Sequence, residues 1–399
     1  MSTPVFVAGL GVISAIGLNA DECLQSLGEG RAGMGDITQL GTRQQGKLPA
    51  AEINLSNKIL ASESGLSATS PRTALLSGIA AREALVDAGL PEKHGLRIGF
   101  ISANTVGGMD KTEDFFEQFI KDPRSGRLRD VVHHECGAIT EIVADHLGIR
   151  HFVSTISTAC SSSANALFTG ARMIRHGLLD LALAGGADAL TRFTLNGFNT
   201  LMILDKEFCK PFDENRHGLN LGEGAGYLLL ASEKAMRHLK QPAYCRLSGY
   251  SNANDAYHQT ASSPEGTGSY LAMKQALSMS GLAPAEIDYI NLHGTGTSNN
   301  DIAEGTAIKL LFDPGYPKMS STKSFTGHTL GASGAIEAVF SALAIKHGVI
   351  YPNLRFETPM KELPFTPETR FLKNQRVQHV LSNSFGFGGN CSSLIFSAA

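Results

Sequence analysis

The chain has no CxxC pair among its six cysteines, which stand at positions 23, 136, 160, 209, 245 and 391. Without such a pair or an export signal, they read as reduced thiols of a cytosolic protein. The opening Met1-Ser2-Thr3-Pro4-Val5 lacks a basic stretch followed by an apolar one, so no secretion signal is read there. No apolar run approaches the ~20 residues of a membrane span. No basic excess exists either: 34 Lys and Arg stand against 37 Asp and Glu, a formal net charge of -3. That excludes a global field for nucleic acid and leaves room only for a local basic patch. What is present is an ordinary globular composition, 42% hydrophobic and 18% charged over 399 residues. This suffices for two domains or one large one. The 43 glycines imply tight turns and close backbone approaches.

Residues 5–8 read as a strand, followed by Gly9-Leu10-Gly11. The third glycine of a dinucleotide fingerprint would fall at Ser14, and the next glycine is Gly17, so that motif fails. A glycine turn between the strand and its connection is expected instead. Residues 36–70 are polar, and a surface course is expected. Residues 73–88 have helical periodicity, with Leu75, Leu76, Ile79, Ala80 and Val86 on the apolar side. Arg82, Glu83 and Asp87 form the polar side, and Gly89 stops the helix. Residues 111–129 look like a charged excursion, with Phe115, Phe116 and Phe119 packing inward. The second half then repeats the plan of the first. A helix over 271–280 closed by Gly281 matches the one closed by Gly89, and each leads to a strand, at 289–292 and 97–102. A helix over 334–346 ending in His347-Gly348 matches one that ends in His176-Gly177. Two similar α/β halves with a site at their junction are expected.

The stretch Ser157-Thr158-Ala159-Cys160-Ser161-Ser162-Ser163-Ala164 lies between a strand and a helix. A thiol at a helix N-terminus is shifted toward thiolate. Cys160 is therefore either a nucleophile or a buried structural cysteine. Three further motifs follow in the second half. His293-Gly294-Thr295-Gly296-Thr297 comes directly after a strand. Ser321-Thr322-Lys323-Ser324-Phe325-Thr326-Gly327-His328 opens a helix. Asn383-Ser384-Phe385-Gly386-Phe387-Gly388-Gly389-Asn390 follows the strand at 380–382. Strand ends are where α/β folds build sites. Taken singly, His293 and His328 also read as core or loop histidines.

In order and spacing, TACSSS, HGTGT, STKSFTGH and NSFGFGG resemble the β-ketoacyl-acyl carrier protein synthases. These are the condensing enzymes of fatty-acid and polyketide synthesis, on the thiolase fold. The similarity spans nearly the whole chain and is closest to the elongating class with a Cys-His-His site. It implies an α/β, thiolase-like duplicated fold, layered αβαβα. Residues 1–240 would form the half with the nucleophile, and 241–399 the half with the two histidines. Cys160 would take an acyl chain from a carrier-protein thioester, with the backbone N–H groups of Cys160 and Phe387 as the oxyanion hole. Malonyl-carrier protein would lose CO2 while His293 and His328 donate hydrogen bonds to its thioester oxygen. The carbanion would then attack the acyl group, a decarboxylative Claisen condensation that adds two carbons. Lys323 would tune the field around His328, and Asp301, Glu304 and Glu337 match acidic positions that balance Lys323. Thr295, Thr297 and Gly388 belong to the supporting set, and Phe387 would also gate the acyl pocket. No metal and no cofactor enters this chemistry.

The partners implied are acylated and malonylated acyl carrier protein, and a second subunit: a homodimer, or a heterodimer with a homologue that sets chain length. The carrier is acidic in this family, so Lys121, Arg124, Arg127, Arg129, Lys206 and Lys210 are candidates for its docking rim. A charge run also reads as a solvated face. Ile101, Phe193, Phe198, Leu201 and Met202 are candidates for the acyl lining, or simply core. A cytoplasmic location is expected. The chain departs from the family pattern at Asn390-Cys391, where Thr-Asn is usual, and at Ser298, where Pro is common. The segment from 204 to 211 is short. These changes put a housekeeping fatty-acid role in doubt and leave it level with a pathway-specific one, such as a polyene or polyketide synthase. A degradative thiolase is the competing activity; it would need a second cysteine as base, for which Cys391 stands in the wrong place.

Overall fold

The computed structural model describes residues 3–91 and 95–399. Ten strands form one sheet: β1 (Phe6–Ser14), β2 (Ile98–Ala103), β3 (Phe152–Ile156), β4 (Leu181–Asp188), β5 (Gly224–Ala231), β6 (Cys245–Asn254), β7 (Tyr289–Asn291), β8 (Lys318–Ser320), β9 (His379–Phe385) and β10 (Asn390–Ser397). Their order is β3-β2-β4-β5-β1-β6-β10-β9-β7-β8. In the first half, β2 runs parallel to β3 and β4, and β5 antiparallel to β4 and β1. In the second half, β7 runs parallel to β8 and β9, and β10 antiparallel to β9 and β6. Numbered within each half, both run third-second-fourth-fifth-first. Within the sheet, the halves join where β1 pairs with β6, at Phe6↔Arg246 and Val7↔Cys245. The duplication expected from the helix matches is therefore present in strand order and direction.

Helices complete the αβαβα layering. The central layer holds the helices Ser162–Arg175 and Ser333–His347, one from each half. The second is buried from Ser333 through Ala344, as a helix enclosed on all sides must be. Ala164, Leu167 and Ala171 pack there with Ile336, Val339 and Phe340 in one apolar core. A Cβ on Gly334 would lie 3.0 Å from Ala164 N, so glycine sets how near the two helices come. Outside the first half lie Arg72–Asp87 and Cys136–Leu147, and outside the second Thr267–Ser280 and Ser298–Phe312.

The glycine pair Gly9 and Gly11 is not a turn. Strand β1 runs straight through it. Cβ atoms there would sit 2.2 Å from Ala84 O and 2.0 Å from Ala80 O, so the glycines admit the helix Arg72–Asp87 against the strand. That helix is also rotated from the expected face, and Val86 is 73% exposed. The reason is hydrogen bonding. Beyond Val7, β1 has no strand partner on its β6 side. Leu10 N–H donates instead to Asp87 Oδ2 (2.8 Å), and Val12 N–H to Glu83 Oε2 (2.8 Å). Two unmet buried N–H groups would cost about 1–3 kcal/mol each, together more than the roughly 1.5–3 kcal/mol gained by burying a valine.

Two further expectations fail. Residues 36–70 include the helix Asn57–Ser64 and bury Ile37, Leu48, Ala50, Ile53 and Leu60. The excursion is a helix, Met109–Lys121, with no buried residue. Phe116 and Phe119 are exposed: the helix is held at its start by Met109 and Asp110 and along its length by Arg192, which meets Glu113, Asp114 and Glu117. Among the described residues, no helix is long and apolar enough to cross a membrane.

Candidate active site

Leaving β3, the chain reverses through Thr158–Cys160 and enters the central helix at Ser162. Ala159 sits at φ 54°, a left-handed conformation that a Cβ disfavours. Ser162 Oγ supports it by accepting from Thr158 N (2.7 Å). This turn carries Cys160, which is 6% exposed. Burial pushes its thiol up to about 11. The expected shift toward thiolate at the helix end is therefore overturned by desolvation. Three groups pull the other way: the Lys323 charge, the Phe387 N–H and the N–H of Cys160 itself. Both N–H groups thus face the sulfur.

The sulfur and one ring nitrogen from each of His293 and His328 lie within 4.8 Å of one another. The rings meet edge to face, 5.4 Å between centroids. His328 Nδ1 faces Leu330 N (3.1 Å) and Ser333 Oγ (3.1 Å). A backbone N–H can only donate, so Nδ1 is the acceptor and the proton of the neutral ring stays on Nε2. His293 Nδ1 faces the Lys323 ammonium at 3.2 Å, which fixes the same tautomer. Burial holds both imidazoles well below the usual histidine range, and Lys323 adds to it. The pair is thus two neutral Nε2–H donors.

Lys323 and Glu337 form a buried ion pair. Burial pushes the Glu337 carboxyl up to about 7 against the pull of Lys323. Of the three acidic candidates, only Glu337 balances Lys323. Asp301 and Glu304 are fully buried, not surface carboxylates, and they build the His293 loop. Glu304 accepts from His293 N (2.9 Å), Gly294 N (2.8 Å) and Asn383 Nδ2 (3.0 Å). Asp301 accepts from Thr295 N (3.0 Å) and Phe212 N (2.8 Å) and lies 3.7 Å from Arg216 Nε. Arg216 is buried; its Nε also donates to Thr297 O (3.3 Å), and its terminal nitrogens donate to Asp213 O and Ser298 O.

A cavity opens onto this cluster, lined by Cys160, His293, His328, Thr295, Thr297, Phe385 and Phe387. Phe198 stacks on Phe387 at its side, 5.8 Å between centroids and 14° between planes. Of the lining candidates only Phe198 is there, joined by Ile203 and Leu219. Ile101 lies in the central core, whereas Phe193, Leu201 and Met202 are exposed. The helix Arg192–Thr200 buries Thr194 and Leu195 and turns Phe193 outward. Thr260, Ala261, Ser262 and Asn299 also line the cavity; sequence gave no signal for the first three. Gly388 is at φ 78°, where a side chain is strained, and its N–H donates to Gln259 O (2.7 Å). Among the docking candidates, Lys121, Arg124 and Arg127 pair with Glu117, Asp122 and Asp130 in exposed contacts. Cys391 is buried against Ser269 and does not line the cavity.

The N-terminal domain model of the β-ketoacyl synthases matches residues 2–235, and the C-terminal domain model matches 244–357. The chain belongs to the β-ketoacyl synthase family. A 3-oxoacyl-[acyl-carrier-protein] synthase 2 of Staphylococcus aureus (strain COL) is 33% identical over 406 residues, covering 98% of this chain and 97% of the relative. The ishigamide ketosynthase/chain length factor superposes with a TM-score of 0.93 at 31% identity, each chain covered in full. The ketosynthase ApeO, solved in complex with its chain length factor ApeC from Xenorhabdus doucetiae, gives 0.83 at 32% identity, covering 100% of this chain and 98% of that one. This β-ketoacyl synthase is accordingly a condensing acyltransferase on the thiolase-like fold.

Proposed function

We propose that this enzyme condenses an acyl chain held on Cys160 with malonyl-acyl carrier protein. The observation that carries the reading is the pair of Nε2–H donors fixed beside a sulfur faced by two backbone N–H groups. Cys160 sulfur attacks the carrier thioester carbonyl. The oxyanion takes hydrogen bonds from Cys160 N and Phe387 N, and donors so placed are commonly worth about 3–4 kcal/mol each. The carrier thiolate leaves and takes up the proton given up by the cysteine. Malonyl-carrier protein then binds. As its C–CO2 bond breaks, negative charge develops on the thioester oxygen between His293 and His328. Neutral imidazoles suit this step, because they stabilise the charge without protonating the carbanion. The carbanion attacks the Cys160 thioester, and collapse of the second tetrahedral intermediate releases the 3-oxoacyl carrier and the cysteine.

Lys323 orients His293, and Glu337 offsets its charge. Phe387, stacked on Phe198, gates the cavity. The acidic carrier docks on Lys121, Arg124, Arg127, Arg129, Lys206 and Lys210. The six unpaired cysteines support a reducing, cytoplasmic setting. A second reading, the catalytic half of a heterodimer with a chain-length-setting homologue, is favoured by the likeness to two ketosynthase/chain length factor structures.

Intact-protein mass spectrometry with a panel of acyl-carrier proteins tests the proposal. The wild type gains one acyl mass, and Cys160→Ala gains none and forms no product. Product formation by Cys160→Ala would refute the nucleophile. In the same assay, Arg124→Glu with Arg127→Glu should raise the carrier concentration for half-maximal loading about three- to tenfold. An unchanged value would remove those residues from the docking face.

A further inference from the structure

The two N–H groups that face the sulfur come from opposite halves of the molecule. Cys160 N belongs to the turn after β3, and Phe387 N to the loop between β9 and β10. Something must hold their separation, because a displacement of about 1 Å at a reacting centre costs on the order of a hundredfold. Asn390 touches both sides. Its backbone C=O accepts from Gly386 N (2.9 Å) and closes the Phe387 loop. Its side-chain Oδ1 accepts from Ser161 Oγ (2.6 Å), the residue after the nucleophile. The same oxygen accepts from Asn165 Nδ2 (2.9 Å), in the first turn of the central helix, and from Asn252 Nδ2 (2.7 Å) on β6. Asn165 in turn donates to Thr158 Oγ1 (2.8 Å), so the clamp reaches both ends of the Cys160 turn. Only an oxygen can take three donors, which fixes the amide orientation. This is also where the sequence leaves the family pattern, with Asn390 in place of the usual Thr.

Resting on the condensing role of Cys160, we propose that Asn390 is the positioning residue of the oxyanion hole. It sets the distance between the Cys160 turn and the Phe387 N–H by binding one with its side chain and the other with its main chain. The test compares two reactions at the same sulfur. Acyl transfer from a carrier thioester forms an oxyanion, whereas alkylation by iodoacetamide does not. Asn390→Leu keeps the size and removes the acceptor. It should slow acyl transfer about 30- to 100-fold and change alkylation less than about threefold. Asn390→Asp keeps the acceptor and should recover transfer to within about tenfold of wild type. Ser161→Ala, which removes one donor, should shift transfer in the same direction by a smaller factor and covers the case in which Asn390→Leu does not fold. Equal transfer rates in Asn390→Leu and wild type would overturn the assignment. So would parallel loss of transfer and alkylation with no rescue by aspartate, which would mark a general structural role. Failure of the wild type itself to load at Cys160 would instead sink the condensing role, and this inference with it.

Discussion

Strand β4 ends in Asp188, and its counterpart β9 ends in Phe385; these ends are put to opposite uses. The Asp188 carboxylate is fully buried and accepts from Thr105 N (2.8 Å), Thr105 Oγ1 (2.7 Å), Val106 N (3.1 Å) and Gly331 N (2.7 Å). It closes its strand end and ties the exit of β2 to the turn after His328. The β9 end continues into Gly386-Phe387-Gly388-Gly389, with the last two glycines at φ 78° and 80°. This loop leaves the Phe387 N–H aimed at the Cys160 sulfur. The same contrast holds one strand over. After β2 comes Asn104, whose amide donates to Cys136 O (3.1 Å); after β7 and Leu292 comes His293, which faces the cavity. The two halves thus share a scaffold and differ at the strand ends. One carries Cys160 and closes the ends of β2 and β4 with polar side chains. The other turns His293 and Phe387 toward the cavity.

The largest effect should come from separating these contributions. His328→Ala removes a donor from the second half and leaves the Cys160 turn in place. Decarboxylation and condensation should fall about a thousandfold, while loading of Cys160 from an acyl-carrier thioester stays within about tenfold of wild type. Mass spectrometry reads the loading, and CO2 release reads the decarboxylation. Equal loss of both steps would show that the division of labour is wrong.

The duplication was legible because helix matches and strand spacing recur in the chain, and burial follows periodicity. Cys160, His293 and His328, which folding brings within 4.8 Å of one another, stood out in the sequence because a small-residue turn carries the cysteine and each histidine borders a glycine. Gly9 and Gly11 were not, since a glycine in a turn and a glycine beneath a helix look alike in one dimension. Val86 was misread because the rotation of its helix is set by two unpaired N–H groups on β1, far away in the chain. Arg216, Asp301 and Asn390 share that problem: each acts on a partner that only folding brings near. For Cys160 the helix end was visible and the desolvation was not, so the direction of its pKa shift was missed.

A middle-sized effect concerns the closed strand end. Asp188→Asn preserves shape but leaves one oxygen to serve donors that now meet two. The amide NH2 would face the N–H groups of Thr105 and Val106, or that of Gly331. Stability should fall by about 1–3 kcal/mol, read as a shift of the urea midpoint with an unchanged slope. Because Gly331 lies in the turn that supplies the donor to His328, condensation should drop more than loading does. An unaltered midpoint would mean that the closed end contributes no stability.

The smallest effect asks whether one half tunes the other's reactive group. The Cys160 thiol is pushed up to about 11, so below that value the thiolate fraction grows about tenfold for each unit rise in pH. Alkylation by iodoacetamide should therefore rise with pH at near-unit slope from about pH 7 to 9, without a plateau. Lys323 belongs to the second half, and its charge is the strongest influence drawing that pKa down. Removing it raises the pKa further, so at a fixed pH the thiolate is scarcer. Lys323→Met should slow alkylation about threefold at pH 8 while keeping the slope, since both proteins remain below their pKa. Glu337 does not cancel the test: with its carboxyl already near 7, loss of Lys323 leaves it free to take up a proton. A plateau below pH 8 would show that the helix end, not burial, governs the sulfur. An unchanged rate in Lys323→Met would show that the second half positions the acceptor of the acyl group but does not set the reactivity of the nucleophile.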